Sequence, residues 1–219
     1  MPHLSMIQSL AISIVQCILV VVFIFVVVPL TLSLLAPVLI SGSLKFSEIN
    51  QAMAIGVPIW AVIPQVFGFL LYLTCGFAET NRMPFDMPEA ENELVAGFHT
   101  EYSGMKFGFF YLAEYVNMTV VSAIAAAFFL GGPWLLPFGF QGVVNPWLAS
   151  LPSWLVMLLC EPHSLFFAGK IVFLLFFFIW VRGTIPRYRY DQIMAVAWKY
   201  LIPLTLVNLV LAAAVRLAA

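Results

Sequence analysis

Charge is what this sequence has least of. Only 9% of its 219 residues are charged, against roughly 25% in a soluble globular domain. No Asp, Glu, Lys or Arg occurs before Lys45. With 63% hydrophobic residues and a mean hydropathy of +1.06, the chain cannot coat a water-facing surface. Disorder, coiled coil, collagen and a disulfide scaffold are excluded by the same composition. A net charge of −1 gives no basic excess for nucleic acid. Cysteine is scarce too: Cys17, Cys75 and Cys160 lie far apart with no C-x-x-C pair, which reads as small buried hydrophobes. His3, His99 and His163 lack the spacing that would put two on one helical face. The expectation is an integral membrane protein without a metal, flavin or redox centre of its own.

What is present is long apolar runs. An all-α, polytopic bundle of about five spans in one membrane domain over 1–219 is expected, with spans near 10–40, 58–78, 107–130, 165–181 and 197–215. The first run is too long for one straight crossing: about 46 Å of helix against a hydrocarbon core of about 30 Å. Pro29 and Pro37 are its expected bends. The first residues lack the positive region of a signal peptide. Residues 131–164, rich in Gly, Pro and Trp, read as an interfacial segment. Six Lys and Arg on one side against three on the other put the loop over 79–104 on the cytoplasmic or matrix side.

That loop holds most of the acid. Glu79, Asp86, Glu89, Glu91, Glu93, Glu101 and Glu114 are seven of the ten acids, opposed locally by Arg82 and Lys106 alone. Asp86 and Glu89 have the spacing of a helix N-cap and its return partner, with Pro88 in the first turn. A short helix over about 87–98 would place acids at its positive end. Glu89 and Glu93 would share one face, where ionising one discourages ionising the other. Phe85, Leu94, Val95 and Phe98 favour packing over simple solvation. Glu114 lies about two turns inside the third span, with Tyr111 and Asn117 on the same face. An acid at that depth costs about 2.5–3.5 kcal/mol and more often marks a proton or ion path than a passive pair. The passive alternative pairs Glu114 with Lys170, which could also snorkel to the interface.

Glu79-Thr-Asn-Arg82, Pro84-Phe-Asp-Met-Pro-Glu-Ala-Glu91, Glu93-Leu-Val-Ala-Gly97, Glu101-Tyr-Ser-Gly104 and Leu112-Ala-Glu-Tyr115 resemble the family of quinone-chamber membrane subunits of respiratory complex I. A second block is similar to the family's last two spans: Trp180-Val-Arg182, Pro186-Arg-Tyr-Arg-Tyr-Asp191, Trp198-Lys199 and Pro203-Leu-Thr205. The resemblance runs from about Pro29 to Arg216. It implies a membrane subunit of a proton-pumping NADH:quinone oxidoreductase in the bacterial cytoplasmic or mitochondrial inner membrane. Quinone is then the substrate, in a chamber shared with hydrophilic iron–sulfur and quinone-site subunits, beside antiporter-like membrane subunits and lipid.

By motif, Glu79, Asp86, Glu89, Glu91, Glu93, Glu101 and Glu114 would transfer protons, and Arg82, Phe85 and Asp86 would line the chamber. Arg82 would hold Glu79 charged or stabilise anionic quinone intermediates. Members of the family begin with further spans and a basic loop, and carry a glutamate where this chain reads Val21 to Val28. The expectation is a companion polypeptide with those spans, packed near 10–40. Weaker alternatives are the membrane anchor of an energy-converting hydrogenase and a free-standing proton channel.

Overall fold

The computed structural model describes residues 27–56, 61–80, 82–85, 104–137 and 161–218, without the side chains of residues 190 and 191. The described residues contain helices and no strands. They are α1 (Val27–Ser41), α2 (Phe46–Gln51), α3 (Val62–Glu79), α4 (Met105–Phe128), α5 (Ser164–Thr184), α6 (Tyr190–Val196) and α7 (Ile202–Ala218). The expected short helix at 87–98, the first half of the first run and most of the interfacial segment lie outside the described residues.

Four helical stretches are long and apolar enough to cross a membrane: α3, α4, α5 and the combined run Gln192–Ala218. A fifth crossing arises if α1 and the helix that follows it, bent by 77°, count as one broken span. Gly42 lets the chain turn there, with φ at +70°, a region costly for residues with a Cβ. α2 runs directly into a π-helical turn, Ala52–Gly56, and α6 reaches α7 through another, Ala197–Leu201. The second ends two residues before Pro203, which has no N–H for the carbonyl of Lys199.

Apolar burial alone cannot hold helices together in lipid, where tails are as apolar as leucine, so close packing has to do it. The main cluster joins Tyr72, Leu73 and Phe77 of α3 with Met118, Val121, Ala125 and Ala126 of α4 and Leu174 and Phe178 of α5. Phe77 and Phe178 pack with ring centroids 4.2 Å apart and planes tilted by 36°. Gly76 permits the α3–α4 approach: a Cβ there would lie 2.8 Å from Val121 Cγ1. Tyr72 closes the same seam by donating its hydroxyl to the Val121 carbonyl at 3.2 Å.

A second cluster packs Ala36 and Ile40 of α1 against Ile49, Met53, Ala61, Ala212 and Val215. Outward faces are apolar, with Phe173, Phe176, Ile179 and Trp180 of α5 all exposed. This is the pattern of a lipid- or partner-facing bundle.

Candidate functional site

The C-terminal end of α3, the N-terminal half of α4 and the C-terminal half of α5 converge at one end of the bundle. α3 stops cleanly. The Thr80 N–H donates to the Gly76 carbonyl at 3.0 Å and the Arg82 N–H to that of Phe77 at 3.3 Å, satisfying two carbonyls the helix leaves open. The Thr80 hydroxyl adds a bond to Gly76 O at 2.9 Å. A tight turn follows, with the Phe85 N–H donating to the Arg82 carbonyl at 2.9 Å. The stretch of loop before α6 holds this turn in place: the Tyr188 N–H donates to the Pro84 carbonyl at 3.1 Å, and the Phe85 and Tyr188 rings lie 6.0 Å apart.

This geometry carries Arg82 inward. Its side chain is only 7% exposed, and Nη2 lies 3.3 Å from Oε2 of Glu114, whose side chain is 44% exposed. The guanidinium also sits over the Tyr115 ring, 4.9 Å from its centroid, a cation–π arrangement. The contact with Glu114 is ionic rather than hydrogen-bonded, because neither Nε nor Nη2 finds an acceptor in suitable geometry. A buried guanidinium with unfilled donors is costly unless something else supplies oxygen. Beside it lies a cavity of about 190 Å³ lined by Arg82, Tyr115, Met118, Phe178, Ile179 and Arg182. Two cations against aromatic and aliphatic walls suit an apolar ring with oxygens that gain negative charge.

Glu79 ends α3, three residues before Arg82, but the ion pair of Arg82 is with Glu114 of α4 and not with Glu79. Phe85 is half-buried against Tyr188. Asp86, Glu89, Glu91, Glu93 and Glu101 lie outside the described residues. The alternative pairing of Glu114 with Lys170 does not occur. Lys170 Nζ is held at the opposite end of the bundle by the carbonyls of Leu130, Gly132 and Trp134, the last turns after α4. It is a clamp on that loop.

Sequence reasoning missed Tyr115, Met118, Phe178 and Arg182 as a shared cavity wall. The available signal was weak: Tyr115 adjoins Glu114, and Met118 follows one helical turn later.

Comparison with known proteins accounts for most of the chain. The family model described as NADH dehydrogenase matches residues 14–213. The NADH-quinone oxidoreductase H subunit of Bacteroides fragilis is 47% identical over 184 residues, covering 82% of this chain and 48% of that protein. The corresponding protein of Dehalococcoides mccartyi is 47% identical, covering 88% of this chain and 47% of its own. One from Solibacter usitatus is 40% identical, covering 83% and 56%. The chain thus spans about half the length of the curated relatives it matches. With its helical membrane architecture and the matched motifs, the chain belongs to the NADH dehydrogenase family.

Proposed function

We propose that this chain is a membrane subunit of a proton-pumping NADH:quinone oxidoreductase, forming part of the quinone chamber and of the proton path that leaves it. The observation that carries the reading is the buried Arg82, whose unfilled donors line an apolar cavity and whose charge meets Glu114. Reduction places electrons and then protons on the quinone oxygens. A fixed guanidinium beside them stabilises the anionic stage electrostatically.

Glu114 is the natural recipient of that change. As negative charge grows near Arg82, the guanidinium shares its attraction between the Glu114 carboxylate and the new charge, which couples Glu114 to quinone reduction. The acidic stretch from Glu79 to Glu101, with Asp86, Glu89, Glu91 and Glu93, would deliver protons on the cytoplasmic or matrix side. Electron transfer belongs to the hydrophilic iron–sulfur partners. The relatives are named as quinone oxidoreductase components, which favours this reading over a hydrogenase anchor.

The test is the assembled complex carrying Glu114→Gln, assayed for quinone reduction and proton pumping in the same vesicles. Subunit composition should be retained while the proton-to-electron ratio falls. An unchanged ratio in a fully assembled variant would remove Glu114 from the path.

A further inference from the structure

Away from the Arg82 site, α1, α3 and α7 enclose polar side chains where an apolar bundle should have none. Ser33, Gln65, Thr205 and Asn208 are each 0% exposed. Apolar clusters bracket them. Toward one end Leu71 and Cys75 of α3 pack with Leu201, against Leu30 of α1. Toward the other, Ala36, Ile40, Ala61, Ala212 and Val215 close together. On each helix the polar residue falls between its members of the two clusters, so the four share a layer.

The layer is not satisfied from within. Ser33 and Thr205 turn their hydroxyl hydrogens back onto the carbonyls of Leu30 and Ile202, at 2.7 and 2.9 Å. Gln65 Nε2 donates to the Met53 thioether, which leaves Oε1 without a partner, and Asn208 has neither Oδ1 nor Nδ2 bonded. One further acceptor comes from the backbone: Pro37 stands four residues after Ser33 and has no N–H to give the Ser33 carbonyl. Room has been kept for Asn208, since a Cβ on Gly68 would lie 2.7 Å from its Nδ2.

We propose that this layer is an internal hydration site holding at least two waters, which between them donate to Gln65 Oε1, Asn208 Oδ1 and the Ser33 carbonyl, one of them accepting from Asn208 Nδ2. Acceptors outnumber donors there, and a buried water wants two to four polar partners, which this set supplies. No carboxylate faces the layer from the named residues, so water suits it better than a cation. The inference does not depend on the quinone reading. It gives α7 a polar link to α1 and α3 at a depth where lipid offers none.

The test is a structure of the assembled complex, prepared in sodium and in choline buffers, at a resolution that shows ordered water. Density within hydrogen-bond reach of Gln65 Oε1 and the Asn208 amide in both buffers is expected, with its loss in Asn208→Leu. Amides bonded to each other across a dry layer would overturn the proposal. So would density that vanishes without sodium, which would make this a cation site. Should Asn208→Leu fail to assemble, water-to-side-chain magnetisation transfer at the Gln65 and Asn208 amides of the unsubstituted complex decides the same point, and absence of transfer overturns it.

Discussion

Arg82 has two attributes that a lysine would only half reproduce. Its charge offsets Glu114, and its guanidinium carbon sits over the Tyr115 ring. Lysine keeps the first and gives up the planar, forked geometry. Replacing Arg82 by Ala removes both, and also empties one wall of the cavity. A hydrogen bond to a charged group is worth about 1.5–3 kcal/mol, or about 10- to 160-fold in rate if it acts in the rate-limiting state. Quinone reduction in the assembled complex should therefore fall by about that factor in Arg82→Ala. Arg82→Lys should recover part of the loss. The ion pair joins two parts of this one chain, the turn after α3 and the middle of α4. Assembly, measured by subunit ratio on a native gel, should change much less than turnover. Parallel loss of assembly and turnover would assign Arg82 a purely structural role.

At the scale of elements, the α3–α4 seam depends on the absence of one methyl group. Gly76→Ala places a carbon 2.8 Å from Val121 Cγ1, whereas Gly108 and Gly169 have open space around them. Overpacking costs about 1–3 kcal/mol, while Gly→Ala at an unhindered helix position gains about 0.5–1 kcal/mol. Gly76→Ala should lower the thermal midpoint of the detergent-solubilised protein, and Gly108→Ala should hold or raise it. Equal behaviour of the two would mean that the seam relaxes freely.

Lys170→Met makes a companion test at the other end. It leaves the carbonyls of Leu130, Gly132 and Trp134 without their shared donor. Limited proteolysis should cut faster near residues 130–137 in that variant.

These elements also mark what a sequence can disclose. The all-helical membrane architecture was legible, because apolar runs in a chain this poor in charge have no other home. The bend between α1 and α2 was not: the stretch around Lys45 and Glu48 carries charge and no long apolar run, so nothing in its pattern announces a helix. The π-helical turn before Pro203 depends on how neighbouring helices accommodate a missing donor. At the site, Glu114 was legible as an anomalous charge within an apolar run. Its partner was not, because Lys170 and Arg82 are equally plausible in one dimension. The turn held by Tyr188 and the cap on α3 decide in favour of Arg82.

At the scale of the whole molecule, charge is divided unevenly. The stretch from Glu79 to Glu114 carries seven acids and two bases, and one of those bases is already buried against Glu114. Crowded carboxylates are costly to bury without cations nearby. Arg182 lines the same cavity as Arg82, and Arg187 and Arg189 flank Tyr188, which is bonded to the turn at Pro84, whereas Lys170 is committed to backbone carbonyls at the far end. Seven acids still outnumber the two local bases and these three arginines, and the rest of the compensating charge is expected from other polypeptides of the assembled complex. A zero-length carboxyl-to-amine cross-linker applied to the assembled complex in mild detergent tests this directly. Glu89, Glu91, Glu93 and Glu101 should join lysines of other sequences, identified by mass spectrometry of the linked peptides. Iron–sulfur subunits are expected among those partners. A nickel–iron subunit in their place would instead favour the hydrogenase-type anchor. If every link from these acids ran to Lys106 or Lys199 of this same chain, the acidic stretch would be neutralised internally, and the need for a basic partner at this face would disappear.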